Sequence, residues 1–265
     1  MELFCLIVDE PAPGPWNMAV DEALLEAAVA GSDATLRLYQ WSQPTLSLGY
    51  FQRYHDRESH AASRNCAIVR RQSGGGAIMH DCELTYSLTL PPGHPWGRDA
   101  TALYTAMHNV FIALLAPQLP SRTPPWQLTL NTAELALRPS AEPFLCFQRR
   151  AIGDLILRSS EITATNSATS TYKLLGSAQR RHRGAILQHG SFLVSRSSAA
   201  PELPGWQDLT GIPLAIADLA AGVVRQFCEE FGVELAPSEL TSATRGRARQ
   251  IEQEKYSSRS WTARR

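Results

Sequence analysis

The sequence predicts a strand-rich α+β fold, and three observations predict it. Leu84, Tyr86, Leu88 and Leu90 alternate with Thr85, Ser87 and Thr89, the period of two by which a strand turns one face into a core. Two other runs, Leu103, Met107, Val110, Phe111 and Leu114, then Leu219, Val223, Phe227 and Phe231, recur at helical spacing. Between an apolar run ending Cys66-Ala67-Ile68-Val69 and the alternating segment stand Gly74, Gly75 and Gly76. Glycine weakens a sheet, so its place there implies a bulge or a close approach of backbone to a ligand.

Taken in order, Leu3 to Val8 reads as a strand and the prolines from Pro11 to Pro15 as a loop. Asn17 is placed to cap a helix ending at Gly31, with Asp21 and Glu22 favoured by its dipole. Leu36 to Tyr39 and Thr45 to Tyr50 read as strands, the second half-buried, and Tyr54 to Arg64 as a polar helix before a strand at Ala67 to Arg70. Asp99 or Thr101 caps the next helix, which runs to about Leu115 and is stopped by Pro117 and Pro120. The proline-bearing stretch 120–143 carries one strand, Trp126 to Leu130. Asp154 to Leu157 and Tyr172 to Leu175 form a hairpin around a Ser/Thr-rich segment, Arg158 to Thr171, that reads as a mobile surface loop. A strand at Ala185 to Val194, a loop at Pro201 to Pro213, a helix at Ile216 to Phe231 and a polar helix at Ser238 to Lys255 follow.

The 265 residues suffice for a single domain over residues 1–265 with a helical tail from about 238 to 265. Lys plus Arg equals Asp plus Glu, 25 each, so no global field attracts nucleic acid or an anionic membrane, and neither is an expected partner. The terminal arginines, Arg264 and Arg265 among them, read as a solvated tail. Five widely spaced cysteines without a CxxC pair suit reduced thiols in the cytoplasm and no metal site. The first apolar run meets Asp9 and Glu10 without a basic leader, and neither a signal peptide nor a span of about 18 apolar residues is expected.

Charged and polar groups gather around the glycines: Arg71 and Ser73 before them, His80 and Asp81 after. No Lys-Ser or Lys-Thr follows the glycines and no helix opens there, which argues against a phosphate loop. Adjacent strand residues point to opposite faces, so His80 and Asp81 do not enter one pocket, and His80 is the candidate. Cys146 sits among apolar neighbours, where composition alone makes it packing filler. His189 reads equally as a satisfied core histidine or a ligand contact.

Three stretches, RRQSGGGAIMHDCELTYSL at 70–88, KLLGSAQRR at 173–181 and AILQHGSFL at 185–193, resemble the catalytic core of the biotin and lipoate protein ligase superfamily. WNMAVDEALL at 16–25 and PTLSLGYFQ at 44–52 are similar to its N-terminal part. The resemblance implies a mixed, largely antiparallel sheet with packed helices, similar to the catalytic domain of class II aminoacyl-tRNA synthetases. Cys146-Phe147 upstream of Lys173, with HDCELTYS at 80–87 and ILQHGS at 186–191, is closer to the cysteine-dependent octanoyltransferases than to ATP-using ligases. The short ending of the chain is also similar to that of such transferases.

That likeness implies an acyl-carrier protein as donor, a thioester on Cys146, and as acceptor a lysine of a lipoyl domain or a glycine-cleavage carrier protein, with no cofactor. Lys173 would favour the Cys146 thiolate and polarise the thioester carbonyl. Arg71, Ser73, Gly74, Gly75, Gly76, His80, Gly176, Ser177, Ala178, Gln179, His189 and Gly190 would bind substrate, residues 176–179 by backbone donors to a developing oxyanion. An ATP-dependent lipoate ligase, using ATP and Mg, is the alternative, and an inactive relative that binds an acylated or lipoylated partner is a third reading. The long 158–171 segment and the Arg149-Arg150 pair depart from the transferase pattern.

Overall fold

The alternating segment becomes β6 (Glu83–Leu90), a central strand of the larger of two sheets. The computed structural model describes residues 1–121, 126–133, 143–162 and 167–265, with 160–162 and 167–169 described by backbone alone. Around β6 lie β1 (Glu2–Val8), β2 (Thr35–Tyr39), β7 (Trp126–Leu130), β8 (Leu155–Ile162), β9 (Ser167–His182), β10 (Ala185–Leu193) and β11 (Val233–Pro237). Their order is β11-β1-β2-β6-β10-β9-β8-β7. A smaller sheet runs β4-β3-β5, from β3 (Thr45–Leu48), β4 (Ala67–Arg70) and β5 (Ile78–His80). β1 is parallel to β2 and β11, and β3 to β4, while the remaining pairs are antiparallel, so the sheets are mixed and largely antiparallel as expected.

Both faces of β6 are buried. Leu84, Tyr86, Leu88 and Leu90 join a core shared with α2 (Ala100–Leu115) and α4 (Ile216–Phe231). Asp99 caps α2 as expected, its Oδ1 accepting from the N–H groups of Thr101 and Ala102. The stretch Ala100–Gln118 does have the length and apolar composition of a membrane span, contrary to the expectation that none exists. Here Leu103, Met107, Val110, Phe111 and Leu115 on that helix are buried in the core.

The other face of β6 meets α1 (Gly14–Val29) through a polar layer. Asn17 is not a cap: α1 begins three residues earlier, behind Pro13, and Asn17 Nδ2 donates to the carbonyls of Ala12 and Gln40 at 3.1 and 3.0 Å. Asp21, expected to serve the helix dipole, is instead 1% exposed and binds Arg37 Nη1 at 2.8 Å, with Ser87 and Tyr39 hydroxyls donating to it. Arg37 completes the layer by donating to Asp9 and to Asn17 Oδ1. Burial alone would raise the Asp21 carboxyl, but hydrogen bonding from His189 and the charge of Arg37 outweigh it and hold its pKa below the ordinary value.

Other elements depart from expectation for reasons visible in their neighbours. β3 is buried along its whole length, because it is the middle strand of the small sheet. The segment Tyr54 to Arg64 forms two 3-10 turns rather than a helix. The expected 158–171 loop is largely strand: β8 pairs with β9 from Leu157 opposite Tyr172 to Ile162 opposite Ser167, and only 163–166 lie outside the described residues. Much of the uncertain 120–143 stretch also lies outside them. The 201–213 loop contains α3 (Trp206–Thr210), whose Trp206 is fully buried.

The C-terminal helix is divided. β11 precedes it, α5 (Ser242–Ile251) continues into a π-turn at Glu252–Tyr256, and α6 (Arg259–Thr262) follows. Lys255 and Tyr256 both bind Glu22 of α1. Arg264 and Arg265 are not a free tail: their guanidinium groups lie 4.5 and 5.8 Å from the Tyr50 ring centroid.

Removing one partner of a buried ion pair leaves an uncompensated charge. Arg37→Ala is expected to destabilise folding by about 3–5 kcal/mol in urea denaturation; a change under about 1 kcal/mol would show that the polar layer does not hold α1 to the sheet.

Candidate active site

The glycine loop is built on a buried cation. Arg71, 2% exposed, donates through Nη1 to the Ser47 carbonyl at 2.9 Å and through Nη2 to the carbonyls of Gly74 and Gly76, both at 2.7 Å. Gly75 carries the one conformation in this loop that demands glycine, with φ of 94°. Its carbonyl passes so close to Gly49 that a Cβ there would lie 2.0 Å from the oxygen. The loop then joins the cysteine segment: Cys146 N donates to Ala77 O at 2.7 Å, and Ala77 N to Phe144 O at 3.1 Å. Burial pushes the Arg71 guanidinium down to about 10, an effect the Cys146 sulfur partly offsets.

Cys146 opens a short 3-10 turn, Cys146–Gln148, and faces Lys173, whose Nζ lies 3.7 Å from its Sγ. Lys173 reaches it from β9 because of a bulge: Leu155 stands opposite Leu175, but Ile156 opposite Lys173, so Leu174 is left over. A bulge re-aims the side chains beside it. Lys173 consequently lies over Gly176, where a Cβ would stand 2.3 Å from its Cε and 2.6 Å from its Nζ.

On its other side Lys173 Nζ is 2.9 Å from Asp154 Oδ2. Burial would push the Lys173 ammonium down, yet the Cys146 sulfur and Asp154 outweigh it and hold its pKa above the ordinary value. Asp154 is itself tied by Ala151 N and the Tyr104 hydroxyl, both at 2.6 Å. The Ser177 N–H donates to that same Tyr104 oxygen at 3.1 Å, so this donor, expected to face an oxyanion, is already engaged. His108 Nδ1 donates to the Gly153 carbonyl at 2.7 Å, which leaves Nε2 to accept the Ser177 hydroxyl at 2.8 Å.

Between the two sheets lies a cavity of about 440 Å³, counted with the part open to solvent. Tyr39, Trp41 and Met18 line it with the strand residues Ser47, Ile78, His80 and Thr85, and Cys146 lies on its wall. Of the expected contacts, Arg71, Gly74, Gly75, His80, Gly176, Ser177, Ala178, His189 and Gly190 also line it. Ser73 and Gly76 stand behind the wall. The Ser73 hydroxyl bonds His189 Nε2, and Gly76 backs onto Cys146, whose N would be 3.1 Å from a Cβ there.

Gln179 is not among the residues lining the cavity, and alternation along β9 turns its side chain to the α2 side of the sheet. Its side chain donates to the Ala100 carbonyl at 2.8 Å and to Gln188. His80 and Asp81 diverge as expected: His80 stacks on Trp41 with centroids 3.8 Å apart and bonds Glu83, while Asp81 accepts from Ser197. Both ring nitrogens of His189 are engaged, by Ser73 and by Asp21 at 3.3 Å, and the ring still faces the cavity.

Asp154, Tyr104 and His108 sit inside periodic elements and Glu83 inside a family-like motif, and the local signal for each is a polar residue standing in or against an apolar run. Among the described residues no three His, Cys, Asp or Glu side chains converge on a metal position. The remaining cysteines, Cys5, Cys66, Cys82 and Cys228, are free thiols, none of them lining the cavity.

Residues 13–200 match the lipoyl protein ligase A/B catalytic domain family. An octanoyltransferase LipM of Kyrpidia tusciae is 30% identical, with 100% of each chain covered. A second, from Moorella thermoacetica, is 31% identical over 98% of this chain and 97% of its own. The bi-partite lipoate protein ligase of Thermoplasma acidophilum, described with its E2 lipoyl domain, has the same fold, with a TM-score of 0.72 at 18% identity over 99% of this chain and 97% of its own.

Two outcomes are expected from this geometry. Gly176→Ala displaces the flexible end of Lys173 rather than backbone, so the fold survives while alkylation of Cys146 by iodoacetamide at pH 7 slows about tenfold; an unchanged rate would separate Gly176 from the pair. His108 is pushed down to about 4 by burial, whereas its ordinary value is 6.5. The unfolded chain therefore binds the extra proton between those values, and the stabilisation, complete above pH 6.5, is lost as pH falls toward 4. In urea titrations His108→Gln should lose less stability than the wild type on going from pH 7 to 4.5, and equal losses would refute the buried neutral imidazole.

Proposed function

The chain belongs to the lipoyl protein ligase A/B family, and from that premise we propose that it moves an octanoyl group from an acyl-carrier-protein thioester, through a thioester on Cys146, to a lysine of a lipoyl-carrier domain. Octanoyl transfer is supported by the two LipM relatives, aligned over nearly the whole of both chains. A lipoyl domain as acceptor fits both those relatives and the ligase described with its E2 lipoyl domain. The observation that carries the covalent route is the ammonium of Lys173 placed 3.7 Å from the Sγ of Cys146, a residue that lines the cavity between the sheets.

A thiolate beside an ammonium is a competent nucleophile, and splitting the transfer in two lowers each barrier. In the first step the Cys146 thiolate attacks the donor's thioester carbonyl. The bond from that carbon to the carrier's sulfur breaks, and the Lys173 ammonium protonates the departing thiolate. In the second step the neutral amine of the acceptor lysine attacks the Cys146 thioester. The carbon–sulfur bond to Cys146 breaks, an amide forms, and the amine's proton returns to Lys173, restoring the thiolate–ammonium pair. The octanoyl chain lies in the cavity against Met18, Trp41 and Ile78, where each buried methylene contributes about 0.8 kcal/mol.

Intact mass spectrometry after mixing the protein with octanoyl-acyl carrier protein, without ATP, tests this. A hydroxylamine-labile octanoyl adduct is expected on the wild type and not on Cys146→Ala, and it should disappear when a lipoyl domain is added. No adduct, together with pyrophosphate and a modified lipoyl domain from free lipoate and ATP, would replace the transferase reading by a ligase.

A further inference from the structure

We propose that Asp154 is the positioning residue of this site: it holds Lys173 charged and aimed at the Cys146 sulfur, and so sets the pH window in which transfer runs. This rests on the Cys146 route proposed above. Asp154 is fully buried, stands directly before β8, and offers Lys173 a carboxylate whose geometry is fixed from three elements. The turn before β8 donates Ala151 N, α2 donates the Tyr104 hydroxyl, and β9 brings Lys173 itself. Its backbone is equally constrained, with Asn131 N donating to the Asp154 carbonyl at 2.7 Å and Gly153 N to the Asn131 carbonyl at 2.8 Å. Gly153, at φ of 87°, makes the turn that places it.

A carboxylate so held cannot rotate toward water when its partner changes charge. Both proton transfers of the reaction pass through Lys173, so the residue that fixes the lysine's position fixes the direction of each. The charges around the pair come from several elements. Arg71 approaches the sulfur from the glycine loop. His108 on α2 is neutral, and the Tyr104 phenol is raised by burial and by Asp154. On the outer side, Arg150, Tyr172 and Glu202 border a second cleft that also touches Lys173. Among the described contacts, Asp154 is the carboxylate in direct contact with the ammonium.

The sign of the effect separates positioning by charge from simple structural support. Removing the negative charge in Asp154→Asn makes the Lys173 proton easier to lose and the Cys146 thiolate easier to form. Both limbs of the bell-shaped pH profile of octanoyl transfer should therefore move to lower pH, by about one unit. The midpoint of Cys146 alkylation by iodoacetamide should follow the lower limb. Asp154→Asn keeps the shape and a hydrogen-bonding oxygen that aim Lys173, so a residue acting without its charge would leave both limbs and the alkylation midpoint where they are. An upward shift is reserved for loss of the ammonium itself, as in Lys173→Ala.

The experiment measures both profiles for wild type, Asp154→Asn and Lys173→Ala, together with the octanoyl adduct by mass spectrometry. Acidward movement of both limbs supports the proposal, and stationary or upward limbs overturn it. A wild type that forms no adduct on Cys146 refutes the covalent route instead, so the two failures are distinct. Should Asp154→Asn not fold, the Asp154 13Cγ resonance of the wild type answers the same question. Its chemical shift should report the loss of the Lys173 proton at the midpoint of the upper limb, and an unresponsive resonance overturns the proposal.

Discussion

Placing a guanidinium inside a protein costs several kcal/mol unless its N–H groups are met, and Arg71 meets most of that demand with carbonyls of β3 and of the loop it organises, its Nε alone lacking a hydrogen-bond partner. Its hydrogen bonds run to the carbonyls of Ser47, Gly74 and Gly76, so the small sheet and the glycine loop are held in one relation. Because the loop then exchanges hydrogen bonds with the segment carrying Cys146, the nucleophile's place depends on the same cation. The guanidinium also contributes positive charge beside the sulfur, which makes one buried side chain both scaffold and electrostatic support.

Two hydrogen-bonded chains of polar and charged groups reach the cavity lining. One runs from Arg37 through Asp21 and His189 to Ser73 behind the glycine loop. The other runs from Tyr104 and Ala151 through Asp154 to Lys173 and the Cys146 sulfur. The first ends on Ser73 and ties the glycine loop to α1 and the large sheet. The second ends on a sulfur lining the cavity and acts as chemistry. Glycine appears where these chains need room: Gly176 under Lys173, and Gly190 where a Cβ would stand 2.2 Å from Ser177 Oγ.

The end of the chain reinforces the same region from behind. Arg70 Nε donates to the Thr262 carbonyl at 3.0 Å, Trp261 Nε1 returns a bond to the Arg70 carbonyl at 2.8 Å, and Tyr54 N donates to the Arg265 carbonyl at 2.8 Å. A run of terminal arginines looks solvated in sequence, because nothing local shows that Tyr50, Phe51 and Trp261 offer them aromatic faces.

Period and punctuation by themselves determined the strand at 84–90, the helix at Ile216 to Phe231 and the α+β class, while the resemblance carried by the motifs implied Cys146 and Lys173 as the residues to watch. Those signals are local: alternation and helical spacing are properties of a few consecutive side chains, and the motifs are contiguous. Only the tertiary structure decided that the threonine and serine face of β6 is buried under α1, that Asn17 and Asp21 belong to that layer rather than to a helix end, and that Gln179 faces away from the cavity. It alone brought Asp154 to Lys173, through a β-bulge and a glycine turn that no periodicity announces. The physical reason is common to all of these. A polar side chain in an element looks the same in sequence whether it meets water or a buried partner, and the partner is supplied by a strand or helix tens of residues away.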